Sequence, residues 1–249
     1  MILQDFHTHT NYCDGENTPE EMVIAAVKKG MEKLGILCHS YTNFDKSYCI
    51  KKERIADFQK EIKNLAEKYK DKIQIFCGVE QDYFSDESTE GFDYVIGSVH
   101  YCEKNDKYFA IDSSEEQFQK AVKECYNGDY IAFCVDYFKN ISAVAQKTNA
   151  DIIGHFDLVT KFNEDDRLFD TSDPRYMAAA KAAIDMLLKY DKPFEVNTGA
   201  IIRGYRSVPY PQMLLIEYIK ERGGKLVLSS DSHSADSLCG YFNSFEGII

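Results

Sequence analysis

Seven short apolar runs punctuate this chain, and segments of helical periodicity lie between most of them. The first is a short buried strand, Gln4-Asp5-Phe6, leading into His7-Thr8-His9. The others are Leu34–Cys38, Ile73–Val79, Tyr94–Val99, Ile152–Gly154, Phe194–Val196 and Leu226–Ser229. Continuous apolar runs of this length read as strands buried on both faces. Thr18-Pro19-Glu20-Glu21 has the composition of a capped helix start, and Gly30 suits the end of that helix. Ile55, Phe58, Ile62, Leu65 and Tyr69 recur at helical spacing over 51–69. Segments 113–126 and 130–147 also read as helices, separated by Asn127-Gly128-Asp129. Asp173-Pro174 opens a helix with Met177, Ala180, Ile184 and Leu187 on one face, and 211–221 is a last helix stopping at Gly223-Gly224. Residues 101–112 read as a long connection. Strands alternating with helices imply parallel pairing and right-handed crossovers. Seven such strands point to a closed α/β barrel of the (β/α)7 type. There is no internal repeat, linker or low-complexity tract, so one domain over 1–249 is expected.

The candidate chemistry sits where the strands end. All six histidines, His7, His9, His39, His100, His155 and His233, follow directly on a predicted strand, as do Glu80 and Asp231. In a (β/α) barrel these ends converge on one face, where active sites are built. One such histidine alone reads more readily as a hydrogen-bonded core residue. Six on one rim, with two carboxylates, read as a metal site with more than one ion. His7 and His9 lie two apart, so they project to the same side. Imidazole with carboxylate suits Zn, Mn, Fe or Co and does not suit Ca or Mg alone. A carboxylate such as Glu80 can bridge two ions. No Gly-rich phosphate loop and no Gly-x-Ser-x-Gly nucleophile elbow is present.

Composition narrows the function classes. The net charge of −12 argues against a nucleic-acid surface, which needs a basic face. It leaves room for an anionic substrate if metal ions supply positive charge. The eight cysteines contain no Cys-x-x-Cys pair, so reduced, mostly buried thiols are expected. Cys13 and Cys38 flank candidate ligands but read as small buried hydrophobes. The N-terminus lacks a basic, long apolar leader, and no apolar run is long enough to span a bilayer. A cytoplasmic protein without membrane contact is the expectation.

With those residues assembled, the chain resembles the polymerase-and-histidinol-phosphatase (PHP) superfamily over essentially its whole length. The resemblance rests on His7-Thr-His9, Asp14, His39, Gly78-Val-Glu80, Gly97-Ser-Val-His100, Gly154-His155-Phe-Asp157 and Ser230-Asp231-Ser-His233. Within the superfamily, Glu195-Val-Asn197-Thr-Gly-Ala-Ile-Ile-Arg203-Gly-Tyr-Arg206 and Pro209-Tyr-Pro211 are similar to the monofunctional bacterial histidinol-phosphate phosphatases.

The resemblance implies a distorted, TIM-like (β/α)7 barrel with three divalent transition-metal ions, Zn, Mn or Fe. It places His7, His9, Glu80 and Asp231 on one ion. Glu80, His100 and His155 fall on the second, and Asp14, His39 and His233 on the third. Some relatives carry His where this chain has Asp14; by itself Asp14-Gly15 also reads as a turn. The implied activity is hydrolysis of L-histidinol phosphate in histidine biosynthesis, with an ion-bridging hydroxide as the attacking group. Glu80, Asp231 and Arg203 would be central to it, and Arg203 and Lys161 would hold phosphate, with Arg206 as a weaker candidate. Three divalent ions against Asp14, Glu80 and Asp231 leave about three positive charges to attract a phosphate dianion. Asp5, Asp157, Glu195 and Asn197 are expected to orient ligand imidazoles, with Asp157 equally suited to capping the next segment. Tyr101 reads as core before substrate wall. Competing readings are another small phosphomonoester or nucleotide as substrate, and a PHP barrel that binds metal without turnover. Oligomeric state is left open.

Overall fold

The computed structural model describes residues 3–249. The reading of the N-terminus above includes Met1 and Ile2, which lie outside the described residues. In chain order the elements are β1 (Gln4–Asp5), α1 (Pro19–Lys28), β2 (Lys33–Ile36), α2 (Ile55–Tyr69), β3 (Gln74–Asp82) and β4 (Tyr94–Ser98). There follow a hairpin of β5 (Tyr101–Lys104) and β6 (Lys107–Ala110), then α3 (Glu115–Tyr126), α4 (Tyr130–Thr148) and β7 (Ile152–Ile153). The chain ends with α5 (Pro174–Leu187), β8 (Phe194–Asn197), α6 (Gly199–Ile202), α7 (Met213–Glu221), β9 (Leu226–Ser229) and α8 (Phe242–Phe245).

Seven strands pair in parallel in the order β1-β2-β3-β4-β7-β8-β9. Among the described residues the first and last meet only at the rim, where Thr8 bridges Ser232. There His9 N donates to Ser232 O at 2.7 Å and Ser232 N donates to His7 O at 3.1 Å. The barrel is therefore nearly closed, and it is closed where the histidines emerge. Away from that rim, the seam is covered by Leu3, Val196, Ile216, Leu228 and Phe242.

Helices pack outside the sheet as the periodicity requires. Thr18 and Glu21 form a reciprocal capping box at the start of α1. Met22, Val23 and Ala26 of α1, with Phe58, Ile62 and Leu65 of α2, pack on Leu34, Ile36, Ile75 and Cys77. Each large apolar side chain buried in this way contributes about 1.5–3 kcal/mol. On the other flank, α3, α4, α5 and α7 bury Phe118, Phe138, Ile184 and Leu215 in a second, larger core with Phe194 of β8. Inside the barrel one aromatic ring decides the local sequence. The hydroxyl of Tyr94 donates to Phe6 O at 2.6 Å. A Cβ on Gly35 or Gly78 would meet the Tyr94 side chain at 2.3 Å. Glycine on two neighbouring strands is thus the space that this ring occupies.

The structure moves some expected boundaries. β2 stops at Ile36, short of Cys38, and His39 joins the sheet through an isolated bridge to Glu80. β3 runs past Glu80 to Asp82. The connection at 101–112 contains an antiparallel hairpin. Its turn residues Asn105 and Asp106 have φ of 54° and 59°, the left-handed pair of a tight hairpin turn. Asn-Asp in place of Asn-Gly made that signal weak.

Gly78→Ala should destabilise the protein by about 1–3 kcal/mol, since the added methyl has no space beside Tyr94. Urea unfolding would show a lower midpoint at unchanged slope; an unchanged midpoint would mean that the ring is not confined there.

Candidate metal centre

Six of the seven barrel strands deliver candidate ligands to one bowl. His7 and His9 come from the exit of β1, Asp14 from the following loop, and His39 from the exit of β2. Glu80 lies within β3, His100 and His155 follow β4 and β7, and Asp231 and His233 follow β9. Glu80 is buried at the centre. Its Oε1 lies 2.8 Å from His155 Nε2 and 3.2 Å from His100 Nε2. Its Oε2 lies 2.9 Å from His39 Nδ1, 3.2 Å from His7 Nε2 and 3.4 Å from His9 Nε2. Asp231 Oδ1 stands 3.5–3.6 Å from His9 and His7 Nε2. Asp14 lies 3.5 Å from His39 Nε2 and 3.3 Å from His233 Nε2. The His9 ring is stacked between His39 and His233, at 4.2 and 4.3 Å.

The structure thus brings together all nine candidate ligands. It also blurs the three expected groups. His9 shares one compact cluster with Asp14, His39 and His233, and His39 shares another with Glu80 and His100.

This arrangement fits cations. His7 Nε2, His9 Nε2, His39 Nδ1 and Glu80 Oε2 are buried with no hydrogen-bond partner. Buried polar atoms are seldom left so, and four converging on one point are a ready donor set for imidazole- and carboxylate-binding metals. Electrostatics agree. Burial pushes the His7 ring down, yet Glu195, Glu80 and Asp231 outweigh it and lift its pKa well above the usual range. His39 is raised likewise by Asp14 and Glu80, against its burial. His100 is lifted to about 10 by Glu80 and Asp82 despite burial. Burial and the neighbouring His39 and His233 rings push His9 down to about 4. The bowl is a sink of negative potential that draws in positive charge.

Behind the candidate ligands stand residues that fix them. Glu195 Oε1 accepts from His7 Nδ1 at 2.7 Å, and its Oε2 accepts from His155 N and Asn197 Nδ2 at 2.9 and 3.2 Å. So Glu195 orients an imidazole, and Asn197 acts on Glu195. Asp82 accepts from both His100 Nδ1 and His100 N at 3.0 Å. Sequence reading missed Asp82, although it lies two residues from Glu80 on one strand and so on the same face.

Two expectations are corrected. Asp5 touches no imidazole; it accepts from the backbone N–H groups of His7, Ser230 and Cys239 and so ties the two ends of the barrel. Asp157 neither orients an imidazole nor caps the next turn. It accepts from Gln212 N at 3.0 Å, and burial raises it to about 6. Cys38 is core, while Cys13 Sγ lies 3.5 Å from His9 Nδ1.

A cavity of about 310 Å³ opens beside the cluster, lined by Tyr48, Tyr101, Asp112, Lys161, Arg203 and several of the candidate ligands. Tyr101 is both well buried and part of this wall. Arg203 faces the cavity with Nη2 on Asp231 Oδ2 and Nη1 on Asp231 O, each at 2.9 Å. Lys161 Nζ donates to Asp112 O at 2.7 Å. Arg206 does not reach the cavity; it is buried against Thr160 and lies 3.7 Å from Glu164.

A model of the PHP domain matches residues 5–199. The chain belongs to the PHP domain family. A Schizosaccharomyces pombe protein named "Probable histidinol-phosphatase" is 33% identical to this PHP domain over 188 residues, 71% of this chain and 59% of the relative's length. The Bacillus subtilis histidinol-phosphatase is 26% identical over 265 residues, 97% of each chain. Among solved structures, a Lactococcus lactis histidinol phosphate phosphatase complexed with zinc, L-histidinol and phosphate superposes with a TM-score of 0.69. It is 24% identical and covers 99% of this chain and 94% of its own.

Asp82→Asn should weaken metal retention about 10–100-fold, because it frees the His100 ring while leaving every candidate ligand in place. Metal per chain after dialysis against graded chelator measures this. Retention equal to that of the unaltered protein would show that Asp82 does not support the centre.

Proposed function

We propose that this PHP domain hydrolyses L-histidinol phosphate to L-histidinol and inorganic phosphate, as a single domain over 1–249. The observation that carries the reading is the pairing of a buried imidazole–carboxylate cage with a cavity that also presents Arg203 and Lys161. The names of the relatives supply the ester. His7, His9, Glu80 and Asp231 would hold one ion, Glu80, His100 and His155 a second, and Asp14, His39 and His233 a third, with zinc favoured by the Lactococcus relative. When bound, such ions neutralise phosphoryl charge and make water nucleophilic near neutral pH.

The chain's own groups do the rest. Arg203 offers a planar fork toward the cavity, already oriented by Asp231. Lys161 is pinned by a backbone carbonyl, so its charge is placed without ordering a long side chain on binding. Glu195 and Asp82 hold the Nδ1–H of His7 and His100, which leaves each Nε2 directed at Glu80. Ser47 is engaged with Asp45, and among the described residues no cavity serine hydrogen-bonds to an imidazole, so the serine-nucleophile route has no base. Among the described residues no helix is long and apolar enough to cross a membrane; we place the enzyme in the cytoplasm on the reading of its reaction as histidine biosynthesis.

Metal-reconstituted protein should prefer L-histidinol phosphate over sugar phosphates and nucleotides by at least about 100-fold in kcat/KM. Comparable slow rates on all of them would keep a metal phosphoesterase and discard this substrate. His100→Ala should lower kcat/KM by more than about 100-fold together with metal loss, exceeding the effect of a residue that only supports a ligand. Full activity in that variant would contradict the ligand assignment.

A further inference from the structure

One carboxylate of the cavity wall, that of Asp112, neither serves as a candidate ligand nor holds a hydrogen bond to a neighbouring side chain. Asp112 follows the β5–β6 hairpin, which is held to the rim by Ile111 N donating to His100 O at 2.9 Å. Its side chain is 30% exposed, into the cavity. The other carboxylates there are engaged. Asp45 accepts from Ser47 and from Tyr101 OH at 2.7–3.0 Å. Asp14 faces His39 and His233, and Asp231 faces Arg203. Among the described residues the Asp112 carboxylate has one ion pair within 4 Å, with Lys161 Nζ at 3.6 Å, too far for a hydrogen bond; the rim imidazoles lie farther off and only lower its pKa from a distance. That lysine spends its short bond on the Asp112 backbone oxygen instead.

A carboxylate left with open acceptor positions in a cavity that holds a phosphate dianion repels that dianion. It gains a purpose only if the same ligand also carries a cation. We propose that Asp112 takes the ammonium group of the substrate and makes the site selective for phosphate monoesters of amino alcohols. This rests on the phosphomonoesterase reading. In the ester of a 1,2-amino alcohol the ammonium is two carbons from the ester oxygen, so both charges fall within one cavity of this size. Phosphate, Lys161, Asp112 and ammonium then alternate in sign along the wall. Lys161 separates the substrate's phosphate from Asp112, and Asp112 holds the amine.

The test compares two pairs of esters on metal-loaded protein and on Asp112→Asn. The first pair is L-histidinol phosphate and the same ester lacking its amine. The second is ethanolamine phosphate and ethyl phosphate. In the variant the amine-bearing ester loses an attraction and the amine-free ester loses a repulsion. The ratio of kcat/KM within each pair should therefore fall about 10–100-fold, mostly through KM, with metal content unchanged. Asp112→Glu should recover part of the ratio. An unchanged ratio overturns the proposal, whether both rates fall together, as for a residue acting only through Lys161 or on the leaving group, or neither moves. If the unaltered protein favours ethanolamine phosphate over L-histidinol phosphate, the substrate assignment fails while the pair ratio still decides the role of Asp112. Phosphate release from none of the four esters sinks both.

Discussion

Five imidazoles reach the two carboxylate oxygens of one buried glutamate, all within 3.4 Å. Much of the rim is organised to permit that convergence around Glu80. A buried carboxylate among neutral imidazoles is unstable, because lone pairs of ring nitrogens and carboxylate oxygens face one another with neither proton nor cation between them. The rings have only two ways to settle, by taking up protons or by sharing cations. The raised pKa values of His7, His39 and His100 describe the first state. The orphaned nitrogens of His7 and His9 describe the opening for the second.

The barrel is shaped around this constraint. Its seven parallel strands are joined at the end where the histidines leave, through Thr8 and Ser232. Asp5 strengthens that closure by accepting backbone N–H groups from both termini of the barrel. Glu195 and Asp82 set the ring orientations from behind. The chain therefore uses carboxylates at three depths: beneath the rim to close it, behind the rings to aim them, and among the rings to gather charge. A net charge of −12 is compatible with phosphate chemistry because that local negative charge is what recruits the ions.

Much of this was legible in the chain because period and position are local signals. The apolar runs mark the seven strands, and the histidines that follow five of them, with Glu80 after a sixth, locate the rim without any knowledge of contacts. The resemblance to the PHP superfamily rests on the same residues, and the family match bears it out. What escaped depends on geometry between distant segments. Asp82 needed the knowledge that β3 continues past Glu80. Asp5 reads like a ligand-orienting carboxylate until the fold places Ser230 and Cys239 beside it. Arg206 stands in the sequence as a weaker candidate beside Arg203, and the turn after α6 sends Arg203 into the cavity and buries Arg206 against Thr160. The β5–β6 hairpin was hidden by short, partly polar strands whose pairing is decided by a turn lacking glycine.

In the proposed centre Glu80 would serve two ions, so those two sites should stand or fall together. The direct measurement is the number of metal ions bound per chain in the unaltered protein and in Glu80→Gln, by elemental analysis after exhaustive removal of loosely held metal. The account predicts about three ions in the first and the loss of two together in the second, since two of the proposed sites use that carboxylate. Loss of a single ion, or of none, would contradict a shared ligand and leave the cluster as separate sites that happen to be neighbours.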